Sequence, residues 1–144
     1  MRDEKPIVLI VEDDEVDTEV VCRGIERRKL DCDVRDFNDA SNALAYLRDL
    51  PPATAERVIT LLDINMPGMN GHQFLRELRK DSLLRKNIVF VLTTSRHRRD
   101  IADAYDSNVS GYFIKAKIDL LFDVLEIFIN SVELPLGSDS DVVL

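Results

Sequence analysis

Short, predominantly apolar runs alternate along this chain with stretches in which apolar residues recur every three or four positions. Ile7–Val11 reads Ile-Val-Leu-Ile-Val, Val58–Leu62 reads Val-Ile-Thr-Leu-Leu, and residues 88–92 read Ile-Val-Phe-Val-Leu. Runs of this length, bounded by polar or turn residues, fit strands of a parallel sheet that is buried on both faces. Residues 33–37 and the trio Tyr112, Phe113 and Ile114 are weaker runs that complete a set of five. Between the runs the period lengthens. Val16, Val20, Val21 and Ile25 share one helical face, as do Ala43, Leu44 and Leu47, then Phe74, Leu75 and Leu78, then Ile101, Ala104 and Tyr105. Asp14 and Asp17 favour a helix start just after the first strand. Strands that alternate with helices predict an α/β fold around a parallel sheet.

Chemistry gathers where the strands end. Asp63 closes the run 58–62; Pro67, Gly68, Asn70 and Gly71 then turn the chain, with Gly71 placed to open a helix. Glu12, Asp13 and Asp14 close the first run, Thr93, Thr94 and Ser95 the fourth, and Lys115 the fifth. Open α/β sheets bind ligands at the carboxyl ends of their strands. Clustered carboxylates repel one another, so either one keeps a proton or a cation shares the site. Oxygen ligands that retain water suit magnesium. A carboxylate can also serve as a nucleophile and form an aspartyl phosphate. A lysine and a metal would then neutralise the phosphoryl oxygens, and a hydroxyl would hydrogen-bond them. Asp63 is the candidate reactive group.

Taken in order, Glu12-Asp13, the segment Asp63-x-x-Met66-Pro67-x-x-x-Gly71, Thr93 followed by the small Thr94, and Lys115 resemble the CheY-like receiver domain of two-component response regulators. The resemblance covers roughly residues 5–133. It implies a flavodoxin-like, doubly wound five-stranded parallel sheet in the order 2-1-3-4-5, the order that chemotaxis receivers illustrate, with helices on both faces. It implies that Asp63 is the phosphoacceptor and that Mg2+ is the cofactor. Asp13 would ligate the metal directly, Glu12 largely through water, and Asn65 through its backbone carbonyl, with Asp63 itself in the set. Thr93 and Lys115 would bind the phosphoryl group, and Tyr112, three residues before the lysine, falls at the aromatic switch position. The implied partner is a histidine kinase or phosphotransfer protein. In the family a proline usually follows the lysine, often in cis linkage. Here Ala116 follows, and a cis bond without proline costs about 2.5–4 kcal/mol, so a trans link is expected.

Composition narrows the class further. The 144 residues suffice for one domain with a sizeable core, expected over 1–134, followed by a tail, 135–144, whose Pro135, Gly137 and acidic run predict mobility. The net charge of −8 argues against sequence-independent nucleic-acid binding, which needs a basic surface. No apolar run is long enough to span a bilayer and no signal peptide opens the chain, so a cytoplasmic protein is expected. Cys22 and Cys32 lack metal-type spacing and read as reduced thiols. No output segment is recognisable, so the expected function is a signalling switch that transfers a phosphoryl group to itself, hydrolyses it, and acts by binding or relay. Three other readings compete. A phosphorylation-independent adapter would use the same surface. A haloacid-dehalogenase-type phosphatase would need its nucleophile after the first strand as Asp-x-Asp, and turnover of a small phosphoester. A flavin module would need a phosphate loop where Glu12, Asp13 and Asp14 stand.

Four peripheral features remain. The connection over residues 50–57 is longer than a tight loop. It resembles single-domain receivers that partner phytochrome-type kinases, as does the wording Leu92-Thr93-Thr94-Ser95. His72 reads as a capping or solvent-facing residue. The basic run 96–99 reads as a solvated loop beside the site. The last helix, about residues 119–132, is apolar around most of its circumference. With Leu121 and Val124 turned to the sheet, Phe122, Leu125, Phe128, Ile129 and Val132 are left over, which predicts a homodimer through that helix.

Overall fold

The computed structural model describes residues 5–131 and contains the alternation that the sequence predicts. The strands are β1 (Ile7–Val11), β2 (Asp33–Phe37), β3 (Val58–Leu62), β4 (Ile88–Thr93) and β5 (Gly111–Ile114). They form one parallel sheet in the order β2-β1-β3-β4-β5. The helices are α1 (Glu15–Arg27), α2 (Ala40–Asp49), α3 (Pro52–Ala55), α4 (Gly71–Lys80), α5 (Arg98–Asp106) and α6 (Ile118–Asn130). Among the described residues no helix is long and apolar enough to cross a membrane.

Side-chain alternation along the strands divides the core into two layers. Ile7, Leu9, Val11, Val58, Leu62, Val89 and Val91 face α2, α4 and α5, where Leu44, Leu47, Phe74, Leu75, Leu78 and Ala104 meet them. Val8, Ile10, Ile59, Leu61, Phe90 and Leu92 face α1 and α6, where Val21, Ile25, Leu121 and Leu125 meet them. β1 and β3 are buried at every position, including the polar Thr60, whose hydroxyl donates to Asn87 Oδ1 at 2.7 Å. β2 lies at the sheet edge and alternates weakly, with none of its residues fully buried.

The helix starts are capped locally. Asp14 accepts from Val16 N and Asp17 N at 2.8 and 3.2 Å. Asn70 and Gln73 form a reciprocal capping box at the start of α4. The connection after α2 is not an open loop: Pro52 starts the short helix α3, which buries Ala55 against the α2–α4 layer.

The last helix corrects the sequence reading. Phe122, Leu125 and Ile129 are not left over; they join Leu121 in the core beneath the sheet. Phe128 is half-buried, its ring edge-on to Phe90 at 5.2 Å between centroids. The physical reason is close approach. Gly24 of α1 carries no side chain where the Phe122 ring arrives, so α6 sinks against α1 and buries a wide face. Arg28 then covers the Phe122 ring and pairs with Asp123 at 2.6 Å. Of the large apolar residues on α6, Leu120 (53%) and Ile127 (67%) stay exposed. Val132 and the tail 135–144 lie outside the described residues.

Candidate functional site

Register brings the predicted chemistry to one edge. Val11 is level with Leu62, so Glu12 and Asp63 leave the sheet side by side. Thr93 is level with Ile114, so Lys115 leaves the sheet one residue beyond the level of Thr93. The backbone N–H of Asp63 donates to Val11 O and that of Glu12 to Phe37 O, both at 3.0 Å. Both acids therefore continue the sheet's bonding by one residue and are held on a rigid edge.

Asp63 is almost wholly buried. One carboxylate oxygen accepts from Asn65 N at 3.0 Å and the other from Lys115 Nζ at 3.0 Å. The turn beyond it depends on Gly71, whose N–H donates to Ile64 O at 3.2 Å. A Cβ there would lie 2.5 Å from Ile64 Cα and 2.8 Å from Asp63 O, so any larger residue would push the start of α4 off the Asp63 strand end.

Glu12, Asp13 and Asp63 can each offer an oxygen within 4.8 Å of the others, and this trio could hold a metal ion. All three are hard oxygen donors, the set that Mg2+, Mn2+ and Ca2+ prefer. Asp13 is exposed at the rim, while Glu12 is buried. Asn65 is exposed on the loop just after Asp63.

Lys115 is the one ammonium in this acidic edge among the described residues. Its Nζ lies 2.7 Å from Glu12, 2.7 Å from Asp17 and 3.0 Å from Asp63. Burial alone would lower its pKa, but the three carboxylates outweigh burial and hold it well above the ordinary lysine range. One cation cannot compensate every acid. Burial, reinforced by the Asp63 charge, pushes Glu12 up from 4.5 to about 7 despite its bonds to Lys115 and Asp14 N. Among the described residues every peptide bond is trans, the Lys115–Ala116 link included, and Lys115 still reaches Asp63.

Thr93 is fully buried at the end of β4, and its Oγ1 accepts from Ser95 N at 3.3 Å. Tyr112 is half-buried and donates to the Ser95 carbonyl at 2.9 Å. Ser95 Oγ donates to Asp100 at 2.5 Å, and Asp100 also faces His72 Nε2 at 3.1 Å. The Ser95 hydroxyl, with help from His72, holds the Asp100 carboxyl below its usual range. His72 thus pairs across to α5 rather than facing solvent alone. Residues 96–99 are exposed, with His97 at the N-cap of α5.

The sequence reading missed the parts that Asp17, Ser95 and Asp100 play at this edge. For Asp17 a signal exists: it sits four residues after Asp13, in the first turn of a helix that begins at the site. A role in starting that helix accounts for the same position, so the spacing alone does not separate the two.

The family model of the response regulator receiver domain matches residues 8–126. The chain belongs to this family. It is 33% identical over 111 residues to the probable methanogenesis regulatory protein FilR2 of Methanothrix harundinacea (strain 6Ac), covering 76% of this chain and 71% of that one. Among solved structures, the Mn2+-bound form of response regulator Rcp1, a protein of Synechocystis, superposes with a TM-score of 0.74 at 27% identity over 90% of this chain and 99% of that one. The phosphorylated cyanobacterial phytochrome response regulator RcpA superposes with a TM-score of 0.74 at 28% identity, over 91% and 99%. The family, the fold and the strand order expected from the sequence are therefore those found.

Proposed function

We propose that this chain works as a single-domain response regulator that takes a phosphoryl group from a phosphohistidine onto Asp63. The observation that carries the reading is the buried carboxylate of Asp63 paired with Lys115 Nζ at 3.0 Å beside a trio of acids able to hold a metal ion. An Asp63 oxygen attacks phosphorus; the P–N bond to imidazole breaks and its electron pair stays on the ring nitrogen. Little covalent work falls to the protein, so positioning and charge neutralisation carry the catalysis. Lys115 donates to the phosphoryl oxygens, and the Thr93 hydroxyl turns to do the same. A Mg2+ ion held by Glu12, Asp13 and Asp63, with the Asn65 carbonyl, would offset the negative charge of the acids and the incoming group. Water later attacks phosphorus, the bond to Asp63 breaks, and the carboxylate is restored. In this reading the chain turns over no small-molecule substrate.

The named relatives support the reading. Rcp1 has been solved with Mn2+, and RcpA, a phytochrome response regulator, in phosphorylated form. A phytochrome-type histidine kinase is accordingly the partner of choice. A second copy of this chain, bound through the exposed stripe of α6, is the other partner in this reading.

Intact-mass measurement with acetyl phosphate and Mg2+ tests the assignment. Wild type should gain one phosphoryl mass and lose it on standing or on chelation followed by base. Asp63→Asn should gain none, because an amide is no nucleophile. A stable, Mg2+-dependent phosphate on Asp63→Asn would place the acceptor elsewhere.

A further inference from the structure

The Lys115 ammonium has three N–H donors, and carboxylates of Glu12, Asp17 and Asp63 surround it. Glu12 and Asp63 belong to the strand ends and to the trio able to hold a metal ion; Asp17 stands outside that trio. It projects from the first turn of α1, yet its contact with Nζ, 2.7 Å, is as short as any. We propose that Asp17 is a positioning residue for phosphoryl uptake, anchoring the Lys115 ammonium from the α1 side so that it stays at the Asp63 oxygen where the phosphoryl group arrives. The proposal rests on Asp63 being the phosphoacceptor.

The three acids meet different fates while the site is in use. Asp63 becomes bonded to phosphorus. Glu12, with Asp13 and Asp63, belongs to the trio that would hold a metal ion and would share its charge with that ion. Two of the three partners of Lys115 therefore change, and Asp17 is the one that stays. A lysine side chain has many rotamers, so an ammonium with no fixed partner spreads over many positions. Asp17 is itself held firmly: Asp14 caps its backbone N–H at 3.2 Å, which fixes the first turn of α1.

Charge acts in the opposite direction, since Asp17 adds a negative group to an edge that must receive an anion. Its 35% exposure weakens that repulsion through solvent screening. The contact with Lys115, whose side chain is only 15% exposed, is short, directional and better shielded. Anchoring therefore outweighs repulsion.

Acetyl phosphate is too small a donor to need docking, so it isolates the chemistry of the site. Asp17→Ala should slow Mg2+-dependent uptake roughly tenfold, the size of a mid-range side-chain coupling. Asp17→Asn keeps an acceptor oxygen for Nζ and should slow it less. Mg2+ affinity, titrated directly, should change little. The Lys115 ammonium resonance should lose its exchange protection in Asp17→Ala while the rest of the spectrum stays put. In a Lys115→Ala background the Asp17 substitution should add nothing. Uptake by Asp17→Ala at the wild-type rate or faster overturns the proposal, as does an equal loss with Lys115 already removed. If wild type itself takes up no phosphoryl group, the phosphoacceptor reading falls and this inference with it; if wild type does and Asp17→Ala matches it, only the role of Asp17 falls. Asp17→Ser, also too short to reach Nζ, replaces the alanine variant in every arm if that variant does not fold.

Discussion

The hydroxyl of Tyr112 donates to the carbonyl oxygen of Ser95 at 2.9 Å, and the N–H of the same Ser95 donates to Thr93 Oγ1 at 3.3 Å. The aromatic ring on β5 is thus tied through one residue to the hydroxyl that the proposed function turns toward a phosphoryl group. Drawing Thr93 toward Asp63 would lengthen the already long Ser95 bond, loosen the segment that holds Tyr112, and free space for its ring. Two discrete packings of this kind are how a small local change reaches a binding surface. Thr93→Ala should therefore still be phosphorylated, with Asp63 and Lys115 intact, yet show a blunted response at Tyr112. Tyr112→Phe, which gives up about 0.5–1.5 kcal/mol of net hydrogen bonding, should show part of the activated pattern before any phosphoryl mimic is added. NMR with and without beryllofluoride reads both variants. An unchanged Tyr112 environment in wild type on beryllofluoride addition would count against the switch.

Glu12 gives a pH dependence whose sign is opposite to that of an ordinary buried ion pair. Its pKa rises from 4.5 to about 7 on folding, because burial and the Asp63 charge oppose ionisation. The folded state then binds more protons than the unfolded state between those values, so this stabilisation is full below pH 4.5 and fades as pH rises through about 7. The effect is on the order of 3 kcal/mol at most, since each tenfold change in a proton equilibrium is worth about 1.4 kcal/mol. In metal-free protein Glu12→Gln should match wild type near pH 4.5 and exceed it above pH 7. Urea denaturation across the range decides it. A Glu12→Gln variant that is less stable than wild type at pH 8 would show that the bond to Lys115 outweighs burial.

Gly24 is a stability test of the α1–α6 contact. An alanine inside a helix ordinarily gains about 0.5–1 kcal/mol over glycine. Here the added Cβ would land on the Phe122 ring, which is fully buried and cannot retreat. Overpacking of that kind costs typically about 1–3 kcal/mol, so the loss wins. Gly24→Ala should lower the denaturation midpoint, and Phe122→Leu should partly rescue it in the double variant. Additive losses in the double variant would mean that the two residues do not share this contact.

How much of this was legible in the sequence follows from which contacts are local. The apolar runs Ile7–Val11 and Val58–Leu62 announce strands buried on both sides, and the strand ends place Glu12, Asp13, Asp63, Thr93 and Lys115 at one edge once the strands are parallel. The helix α3 was not legible, because a single turn begun by Pro52 has too few residues to show a period. Asp17 was not legible as a partner of Lys115, because that contact depends on how α1 is rotated against the sheet. The burial of Phe122 was not legible either. It requires Gly24, on a different helix, to leave room, and the apolar pattern of α6 alone cannot show that.

That burial also redefines the dimer. With Phe122, Leu125 and Ile129 in the core, the apolar surface left on α6 is Leu120 and Ile127, with the half-buried Val124 between them at helical spacing. A stripe of three side chains falls well short of the ~1,600 Å² buried by a standard interface. Self-association through it should therefore be weak and concentration-dependent. Sedimentation should show mostly monomer at low micromolar protein and a growing dimer fraction as concentration rises. Ile127→Asp places a charge at the most exposed of the three and should abolish the dimer without altering the fold. Phe128→Asp is the control that separates surface from packing: it should damage the fold through the Phe90 contact. A tight dimer that survives Ile127→Asp would mean that the second copy binds elsewhere on the molecule.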